Sequence, residues 1–363
     1  MSGWDHTKGT GAMGRATGWR FYAIGTLMLT LMLTSPGSAR VAAAQDQGRM
    51  ERGLSRAGQA TEETTMPVDL GVYLALTPWD PTVLDAYAEQ VGRRPDVVML
   101  YVDWARSGIV GGSDFPVTSL EAVAARGATP LVTWEPWVPG AGAAQPAFSL
   151  AAIAAGEHDG YLRGWARAAA AHGRPFYLRL AHEMNTTAYP WGTGPGNANG
   201  NTPDQYVAMW RHVRAIFAAQ GATNVRWVWS PNTEDAAGPS YAQLYPGDDQ
   251  VDWVGIDGYN GGVALPWGGW KSLTEVFDRS YRAMVALTDK PLMIAEVGSA
   301  ELGGDKGTWI IGGFLDELPT RFPRVRLVVW YSEKKETDWR IDSSTGVLAA
   351  WRAVVASPLY GGR

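Results

Sequence analysis

The stretch from Tyr177 to Gly192 reads Tyr-Leu-Arg-Leu-Ala-His-Glu-Met-Asn-Thr-Thr-Ala-Tyr-Pro-Trp-Gly. Its first part is typical of an apolar strand, and its second part is an aromatic loop. Glu183 falls between them, where a buried strand reaches solvent. A single glutamate at such a point is more often a solvated strand end than a functional group, so its meaning depends on the rest of the chain.

Short apolar runs alternate with longer amphipathic runs from Val68 onward, a pattern that indicates strands separated by helices. The predicted strands are Asp69 to Leu76, Asp96 to Val102, Thr129 to Trp134, Phe176 to Ala181, Val225 to Trp229, Trp253 to Ile256, Leu292 to Ala295 and Arg326 to Trp330. The predicted helices are Thr82 to Val91, Leu120 to Ala125, Asp159 to Ala171, Thr202 to Ala219, Ser272 to Leu287, Thr308 to Leu318 and Gly346 to Ala356. Thr202 with Gln205, and Ser272 with Glu275, match the capping box that starts a helix.

Eight such units predict an α/β fold, a (β/α)8 TIM barrel that forms a single domain over residues 67–360. The rival fold is an open, doubly wound sheet. That fold calls for a glycine-rich phosphate turn after the first strand, and the sequence there is Leu76-Thr77-Pro78-Trp79. The closed barrel is therefore favoured.

The first 44 residues are typical of an export signal: Arg15 and Arg20 precede an apolar run from Phe21 to Leu33, and small residues follow. Cleavage is expected after Ala44 or Ala39, and Met13 is a second candidate for the start. The run is short for a membrane span, so an uncleaved anchor is the less favoured alternative. Residues 45–66 are polar and without periodicity, as in a flexible linker. We therefore expect a secreted protein, with cell-surface anchoring as the alternative.

Composition excludes several classes of function. The formal net charge is −5, and residues 1–44 carry four basic residues against one acidic residue, so the mature chain is more acidic still. Such a chain is a poor partner for nucleic acid or an anionic membrane. There is no cysteine, and the five histidines show no metal-ligand spacing. We expect no metal, no organic cofactor, a neutral substrate and a monomer.

In a (β/α)8 barrel the functional side chains lie at the carboxyl ends of the strands. Reading those ends gives mostly carboxylates and aromatic residues. The acidic candidates are Asp103, Glu135, Glu183, Asp257 and Glu296. Hydrolysis of a glycosidic bond needs one carboxylic acid to protonate the leaving oxygen and one carboxylate to attack the sugar or activate water. Two glutamates on opposed strands fit that requirement.

Aromatic side chains at the same strand ends suit a carbohydrate, because sugar rings present flat C–H faces on which aromatic rings stack. The predicted stacking residues are Trp79, Trp104, Trp134, Trp137, Trp191 and Trp330. Trp210, Trp227 and Trp253 are expected to fill the core instead.

Strand alternation sorts the residues before Glu183 into two faces. Arg179 and Glu183 share the face that we assign to the barrel interior, and His182 falls on the other face unless the strand end twists. Arg179 either keeps a neighbouring carboxylate charged or only braces the barrel. His182 either contacts the substrate or supports residues that do.

The sequence resembles glycoside hydrolase family 26, a member of the clan of retaining (β/α)8 glycosidases, from about Val68 to Trp351. The motifs that carry the resemblance are Arg179-x-x-His182-Glu183-Met184-Asn185, Tyr189-Pro190-Trp191-Gly192, Asp257-x-Tyr259-Asn260, Ile294-Ala295-Glu296-Val297-Gly298 and Asp338-Trp339. The resemblance implies that Glu183 is the general acid/base and Glu296 the nucleophile. It further implies that His182, Arg179 and Tyr259 contact the sugar or the nucleophile, and that the sugar at the cleavage point stacks on the Trp330 ring.

One segment departs from the family pattern: Thr186 to Ala188 stand where members usually carry Gly-x-Trp. The missing tryptophan puts the choice of sugar in doubt. By resemblance we expect β-1,4-mannan first, mixed-linkage β-1,3-1,4-glucan second and β-1,3-xylan third. A non-catalytic carbohydrate-binding barrel is the alternative from another class of function.

Overall fold

The computed structural model describes residues 67–75, 77, 80–106, 109–234 and 236–361. The predicted signal segment, the linker and Trp79 lie outside these residues. Among the described helices, none combines the length and the apolar composition needed to cross a membrane.

Eight parallel strands close into a barrel in which each strand pairs with its neighbours in sequence and the last pairs with the first. In chain order the barrel strands are β1 Asp69–Leu74, β2 Val97–Asp103, β3 Thr129–Glu135, β4 Phe176–Leu180, β5 Val225–Trp229, β6 Trp253–Asn260, β7 Leu292–Ser299 and β8 Val325–Ser332. The predicted (β/α)8 fold is confirmed. A small antiparallel hairpin, Ala105–Arg106 with Ile109–Val110, follows β2 and was not predicted.

The helices cover the outside of the barrel. They are α1 Thr82–Val91, α2 Val117–Ala124, α3 Leu150–Ala154, α4 Asp159–His172, α5 Pro203–Ala219, α6 Tyr241–Leu244, α7 Leu273–Leu287, α8 Lys306–Ile311, α9 Leu318–Arg321 and α10 Thr345–Val355. Both predicted capping boxes are present at the starts of α5 and α7. The prediction of one regular helix from Thr308 to Leu318 is wrong, because Gly312–Glu317 is a π-helical segment between α8 and α9. Pro319 lies at the start of α9 and lacks the amide hydrogen that a regular helix would use there.

Two hydrophobic cores flank the strands, because successive side chains point to opposite faces. Leu327, Val329 and Tyr331 of β8 belong to the core inside the barrel, while Val328 and Trp330 belong to the core between the strands and the helices. This alternation decides which rim residues face a ligand and which are packed beneath the helices.

The last described residues tie the barrel closed at its amino-terminal edge. Val68 N–H donates to Leu359 O over 3.1 Å, and Gly361 N–H donates to Val68 O over 3.0 Å. Between them, the Tyr360 side chain is buried and its hydroxyl donates to Phe314 O. The carboxyl-terminal segment therefore packs against the start of the described fold and against the π-helical segment.

Candidate active site

Glu296 lies on β7 at the floor of the barrel mouth, with only 4% of its surface exposed. Three side chains donate hydrogen bonds to its carboxylate. Tyr101 Oη donates to Oε1 over 2.6 Å, Arg179 Nη2 donates to the same oxygen, and Tyr259 Oη donates to Oε2. The carboxylate is therefore fixed in position from both of its oxygens.

These contacts also decide the charge of Glu296. Burial by itself would raise the pKa of this carboxyl group, but the charge of Arg179 and the hydrogen bonds from Arg179 and Tyr101 outweigh it and lower the pKa to about 2. Burial raises the pKa of Tyr101 and Tyr259 well above the ordinary tyrosine value, so both phenols remain donors. Glu296 is an ionised, oriented carboxylate at neutral pH.

Arg179 on β4 occupies the centre of the barrel and is fully buried. Its Nη1 donates to both carboxylate oxygens of Asp257 over 2.9 and 2.8 Å, and its Nε donates to Thr133 Oγ1 over 2.9 Å. One guanidinium thus joins β3, β4, β6 and β7 while it holds Glu296. Both roles that the sequence left open for Arg179 are present together.

Glu183 follows β4 and is half-buried at the opposite side of the mouth. Its Oε1 accepts a hydrogen bond of 2.6 Å from Asn232 Nδ2. Burial, followed by the nearby charge of Glu296, raises the pKa of Glu183 to about 7. Glu183 therefore holds a proton near neutral pH, where Glu296 has already lost its own.

His182 is placed differently from the strand-parity prediction. Ala181 and Glu183 have positive φ angles of 45° and 50°, in the left-handed region that residues other than glycine seldom adopt. The turn at Ala181 ends the alternation after Leu180 and brings His182 into the site. His182 Nε2 lies 3.9 Å from Glu296 Oε1, and Nδ1 lies 3.9 Å from Glu135 Oε1. Strand parity alone would turn His182 away from the barrel interior, and the change at the strand end that the sequence analysis left open is the one present.

His182 is an uncharged group with one free ring nitrogen. Burial, and then the charge of Arg179, hold the pKa of His182 well below its usual value. Its Nδ1 is buried and has no hydrogen-bond partner among the described residues. A buried nitrogen of this kind is costly unless a ligand supplies the missing partner.

Two acids line the mouth beside His182. Asp103, at the end of β2, accepts a 2.6 Å hydrogen bond from Trp137 Nε1 and shares a further hydrogen bond with Glu135 at the end of β3. Burial, and then the charge of Asp103, raise the pKa of Glu135 well above its ordinary value. Burial also raises the pKa of Asp103. The two carboxyl groups lie side by side at the mouth and can bond to hydroxyl groups of a ligand.

Four of the predicted stacking tryptophans do not line the mouth. Trp104, Trp134, Trp191 and Trp330 have no exposed surface and belong to the core outside the strands. Trp134 lies between Thr133 and Glu135, which face the barrel interior, so alternation turns it toward the helices. Trp330 is turned outward in the same way. Their assignment as substrate-stacking residues is corrected to core packing.

The buried tryptophans still shape the site from behind. Trp191 Nε1 donates to His182 O over 2.6 Å, and its ring stacks on Tyr189 with centroids 4.5 Å apart. Trp137 is half-buried and remains a predicted stacking residue. Trp339, in the loop after β8, packs against Tyr259 with ring centroids 4.9 Å apart and supports the donor to Glu296.

Two residues that contact the carboxylates were not among the predicted site residues. Tyr101 donates to Glu296, and Asn232 donates to Glu183. Tyr101 shares strand parity with Asp103, and Asn232 directly follows β5, so alternation and position supplied a signal for both.

His182, Asp257 and Glu296 offer atoms that all lie within 4.8 Å of one another, a spacing that also suits a metal ion. Arg179 already bonds to both carboxylates. A divalent cation would have to displace this buried guanidinium, so the contacts favour a carboxylate held by an arginine.

A (β/α)8 barrel whose rim pairs an ionised carboxylate with a carboxylic acid that keeps its proton near neutral pH is an arrangement of glycoside hydrolases. Comparison with known proteins agrees with this class. Residues 162–301 match the family model described as Glycosyl hydrolase family 26. This match to glycoside hydrolase family 26 spans both Glu183 and Glu296, as the sequence motifs predicted.

Two relatives and one solved structure illustrate the similarity. Endoglucanase H of Acetivibrio thermocellus is 36% identical over 292 residues, which are 79% of this chain and 30% of that protein. The mannan endo-1,4-beta-mannosidase of Bacillus subtilis is 26% identical over 164 residues, 44% of this chain and 40% of that one. The chain thus spans less than half the length of either relative. The structure of the Bacillus subtilis mannanase BCman matches with a TM-score of 0.58 at 18% identity, covering 80% of this chain and 86% of that chain. At this identity the match shows a similar fold.

Proposed function

We propose that this chain is a retaining endo-β-glycanase that hydrolyses a neutral β-linked polysaccharide, with Glu296 as nucleophile and Glu183 as general acid/base. The observation that supports the proposal most directly is the difference in surroundings of the two glutamates. Tyr101, Arg179 and Tyr259 donate to Glu296, and its pKa is lowered to about 2, whereas Glu183 accepts from the neutral Asn232 and its pKa is raised to about 7. A nucleophile has to be charged and a general acid has to hold its proton at the same pH.

In the first step, Glu296 attacks the anomeric carbon and forms a glycosyl ester as the bond to the leaving oxygen breaks. Glu183 gives its proton to that oxygen, and the shortened saccharide leaves with a new hydroxyl group. In the second step, Glu183, now ionised, takes a proton from water. The water oxygen bonds to the anomeric carbon and releases Glu296, and the configuration of that carbon is retained.

The residues around Glu296 supply the conditions for this attack. Arg179 keeps the carboxylate charged, while Tyr101 and Tyr259 fix its orientation. The free His182 Nδ1 and the Asp103 and Glu135 pair lie at the same mouth and offer partners for sugar hydroxyl groups.

A β-linked glucan is the substrate we place first. The sequence motifs by themselves put β-1,4-mannan first, but the relative that aligns over more of this chain, and at higher identity, is named an endoglucanase. β-1,4-Mannan is the second candidate, and it is supported by the mannosidase relative and by the likeness of fold to mannanase BCman.

Product analysis on mixed-linkage β-glucan, β-mannan and β-xylan tests the proposal. We expect a series of oligosaccharides from one of these polymers, and NMR at early times should show the β-anomer first. First release of the α-anomer would contradict the retaining mechanism. Binding without turnover of any polymer would instead favour a carbohydrate-binding barrel.

A substitution at Glu183 tests its assigned role. In Glu183→Gln, hydrolysis of the polysaccharide should fall about 10²- to 10⁴-fold, the usual contribution of general acid–base catalysis. The glycosyl-enzyme should form from an activated aryl glycoside with far less loss, because a good leaving group needs little protonation. The burst of released aryl alcohol and the steady-state rate measure the two steps. An equal loss of both the burst and polysaccharide hydrolysis would contradict the acid/base role.

Export is the location we propose, since a polysaccharide substrate has to be met outside the cell and the apolar run from Phe21 to Leu33 is typical of a signal segment. Sequencing the amino terminus of the protein recovered from culture medium tests this. A mature start at Gln45 or Arg40 is expected, while an intact start on cell-bound protein would favour the anchor.

A further inference from the structure

The loop after β6 carries an exposed apolar surface that the proposed reaction does not use. Residues 261–270 read Gly-Gly-Val-Ala-Leu-Pro-Trp-Gly-Gly-Trp and include no charged residue. Val263 is 72% exposed and Trp267 is 59% exposed, and Leu302 on the loop after β7 is 61% exposed. Among the described residues, Val117 is the only other large hydrophobic side chain with comparable exposure.

The two loops are joined by their backbones. Val263 N–H donates to Leu302 O over 3.0 Å between the two loops, and Gly269 N–H donates to Gly262 O over 2.6 Å within the first loop. Gly262 has a φ of +54°, and a Cβ atom there would overlap the carbonyl oxygen of Leu302. Glycine at this position is what lets the loops approach so closely.

Asn260 fixes the loop to the barrel. Its buried Oδ1 accepts hydrogen bonds from Gly262 N–H over 3.4 Å and from Lys271 N–H over 3.0 Å, one at each end of the loop. Its Nδ2 donates to Ser299 Oγ over 2.9 Å at the end of β7. The exposed surface is therefore held by the same two strands that carry Tyr259 and Glu296.

The Trp267 ring packs against the start of its own loop, next to the end of β6. A Cβ atom built on Gly261 would be only 2.9 Å from Trp267 Cζ3, so the ring packs directly over this glycine. Gly261 is the second residue after Tyr259. The apolar surface thus begins where the wall of the barrel mouth ends.

We propose that Trp267, flanked by Val263 and Leu302, is a binding platform for a glycosyl unit of a neutral β-glycan that extends from the cleavage point over the rim at β6 and β7. This inference rests on the proposed function. A sugar ring can place its C–H face on the exposed indole, as aromatic rings bury apolar surface while remaining accessible at their polar edge. The loop itself carries no charge that would pair with a uronate, a sulfate or a phosphate, so its chemistry favours a neutral chain.

The test compares Trp267→Ala with Trp267→Phe in the full-length protein, and Val117→Ala serves as a matched control because it removes an exposed apolar side chain from α2. Kinetics are measured on long mixed-linkage β-glucan, on β-mannan and on a short aryl β-glycoside. In Trp267→Ala we expect KM for the polysaccharide that is cleaved to rise about tenfold, equivalent to about 1.4 kcal/mol. The aryl glycoside should be hydrolysed at the unchanged rate, Trp267→Phe should retain most of the affinity, and Val117→Ala should match the parent protein.

Affinity electrophoresis in gels that contain the polysaccharide, with Glu296→Gln as the parent protein, separates the platform from the reaction. If adding Trp267→Ala to Glu296→Gln abolishes the retardation, the platform is supported. This holds even if the unmodified protein hydrolyses none of the polymers, a result that would contradict the proposed function alone. Unchanged KM together with unchanged retardation in Trp267→Ala overturns the platform and leaves the proposed function standing. A dimer that Trp267→Ala disperses, with no change in either measurement, identifies the surface as a contact between two copies and also overturns it.

Discussion

Asn232 controls the protonation of Glu183, although it carries no charge. Its Nδ2 donates to the Glu183 carboxylate and favours the ionised form, whereas burial and Glu296 favour the protonated form. The pKa of about 7 is the balance of these opposing effects. A neutral amide is therefore placed where it sets the upper pH limit of the proposed reaction.

The pH dependence of kcat/KM on the polysaccharide follows from this balance. Glu183 has to be protonated in the first step, so activity should be full below its pKa and fall about tenfold per pH unit above about 7. Asn232→Leu removes the donor that favours the charged form, so the alkaline limb should move to higher pH. Asn199→Ala is the control, because its side chain bonds to Gln145 O and Pro190 O and not to Glu183. A limb that moves to lower pH in Asn232→Leu would contradict this assignment.

Arg179 contributes to stability through the two carboxylates that it pairs. Arg179→Met should leave the buried carboxyl groups of Asp257 and Glu296 without their ion-pair partner, and breaking a buried pair in this way typically costs about 3–5 kcal/mol. Urea unfolding measures the change in the free energy of unfolding. Arg163→Met is the matched control, because its ion pair with Asp159 is exposed and worth less than about 1 kcal/mol. Equal losses in the two variants would show that the buried pairs do not stabilise the barrel.

At the scale of the element, the end of β4 was the least predictable part of the site. Alternation along β4 correctly places Arg179 in the barrel interior, but it fails after Leu180 because Ala181 adopts a left-handed conformation. Alanine gives no local signal for that conformation, unlike glycine or asparagine. The conformation is imposed by neighbours: Ala181 N–H donates to Trp134 O over 3.0 Å, and Glu183 N–H donates to Ser230 O over 2.8 Å.

The left-handed turn at Ala181 has a testable consequence. Ala181→Gly should fold and retain activity, because glycine adopts positive φ without steric cost. Ala181→Val should lower both Tm and activity, because a β-branched side chain at this φ is strained and the site is fully buried. Thermal unfolding and turnover of polysaccharide measure the two effects. Activity in Ala181→Val equal to that of Ala181→Gly would show that the turn does not position His182 and Glu183.

The tryptophans show what a sequence pattern supplies and what it leaves open. Trp134 and Trp330 were assigned to the mouth by their nearness to strand ends, yet the parity of Thr133 with Glu135, and of Val329 with Tyr331, already indicates that both face outward. The exposed Trp267 was not predicted at all. Its exposure depends on how two loops pair through their backbones, and no periodic pattern encodes that pairing.

At the scale of the whole molecule, the barrel could be predicted because eight buried strands and their intervening helices repeat one local pattern. Glu183 and Glu296 could be placed at one end of it for the same reason. The resemblance implied that Arg179 and Tyr259 contact the sugar or the nucleophile, but the third donor to Glu296, Tyr101, was not predicted, because the three side chains meet there from three different strands. Such a meeting depends on barrel closure and side-chain packing across the interior.

The closing contact at the carboxyl terminus should matter for stability and not for chemistry. Tyr360 is buried and contacts Phe314 far from the mouth. Tyr360→Ala should lower the free energy of unfolding by about 3–5 kcal/mol, as large-to-small changes at buried aromatic residues do. Tyr360→Phe is the control that keeps the ring, and it should cost less. Denaturant unfolding measures the stability, and kcat is measured on the folded protein. A Tyr360→Ala variant that turned over more slowly with unchanged stability would contradict this view.

Glu296 keeps a negative charge at the centre of the barrel, where Arg179, Tyr101 and Tyr259 hold its carboxylate in place. In the proposed reaction the sugar ring acquires oxocarbenium character, and therefore positive charge, directly above this centre. The protein thus already holds the counter-charge before the substrate arrives and need not reorganise to create it. A cationic ring of the same shape would meet this field in its ground state, so sugar mimics with a protonated ring nitrogen are the class of inhibitor that the barrel is built to favour.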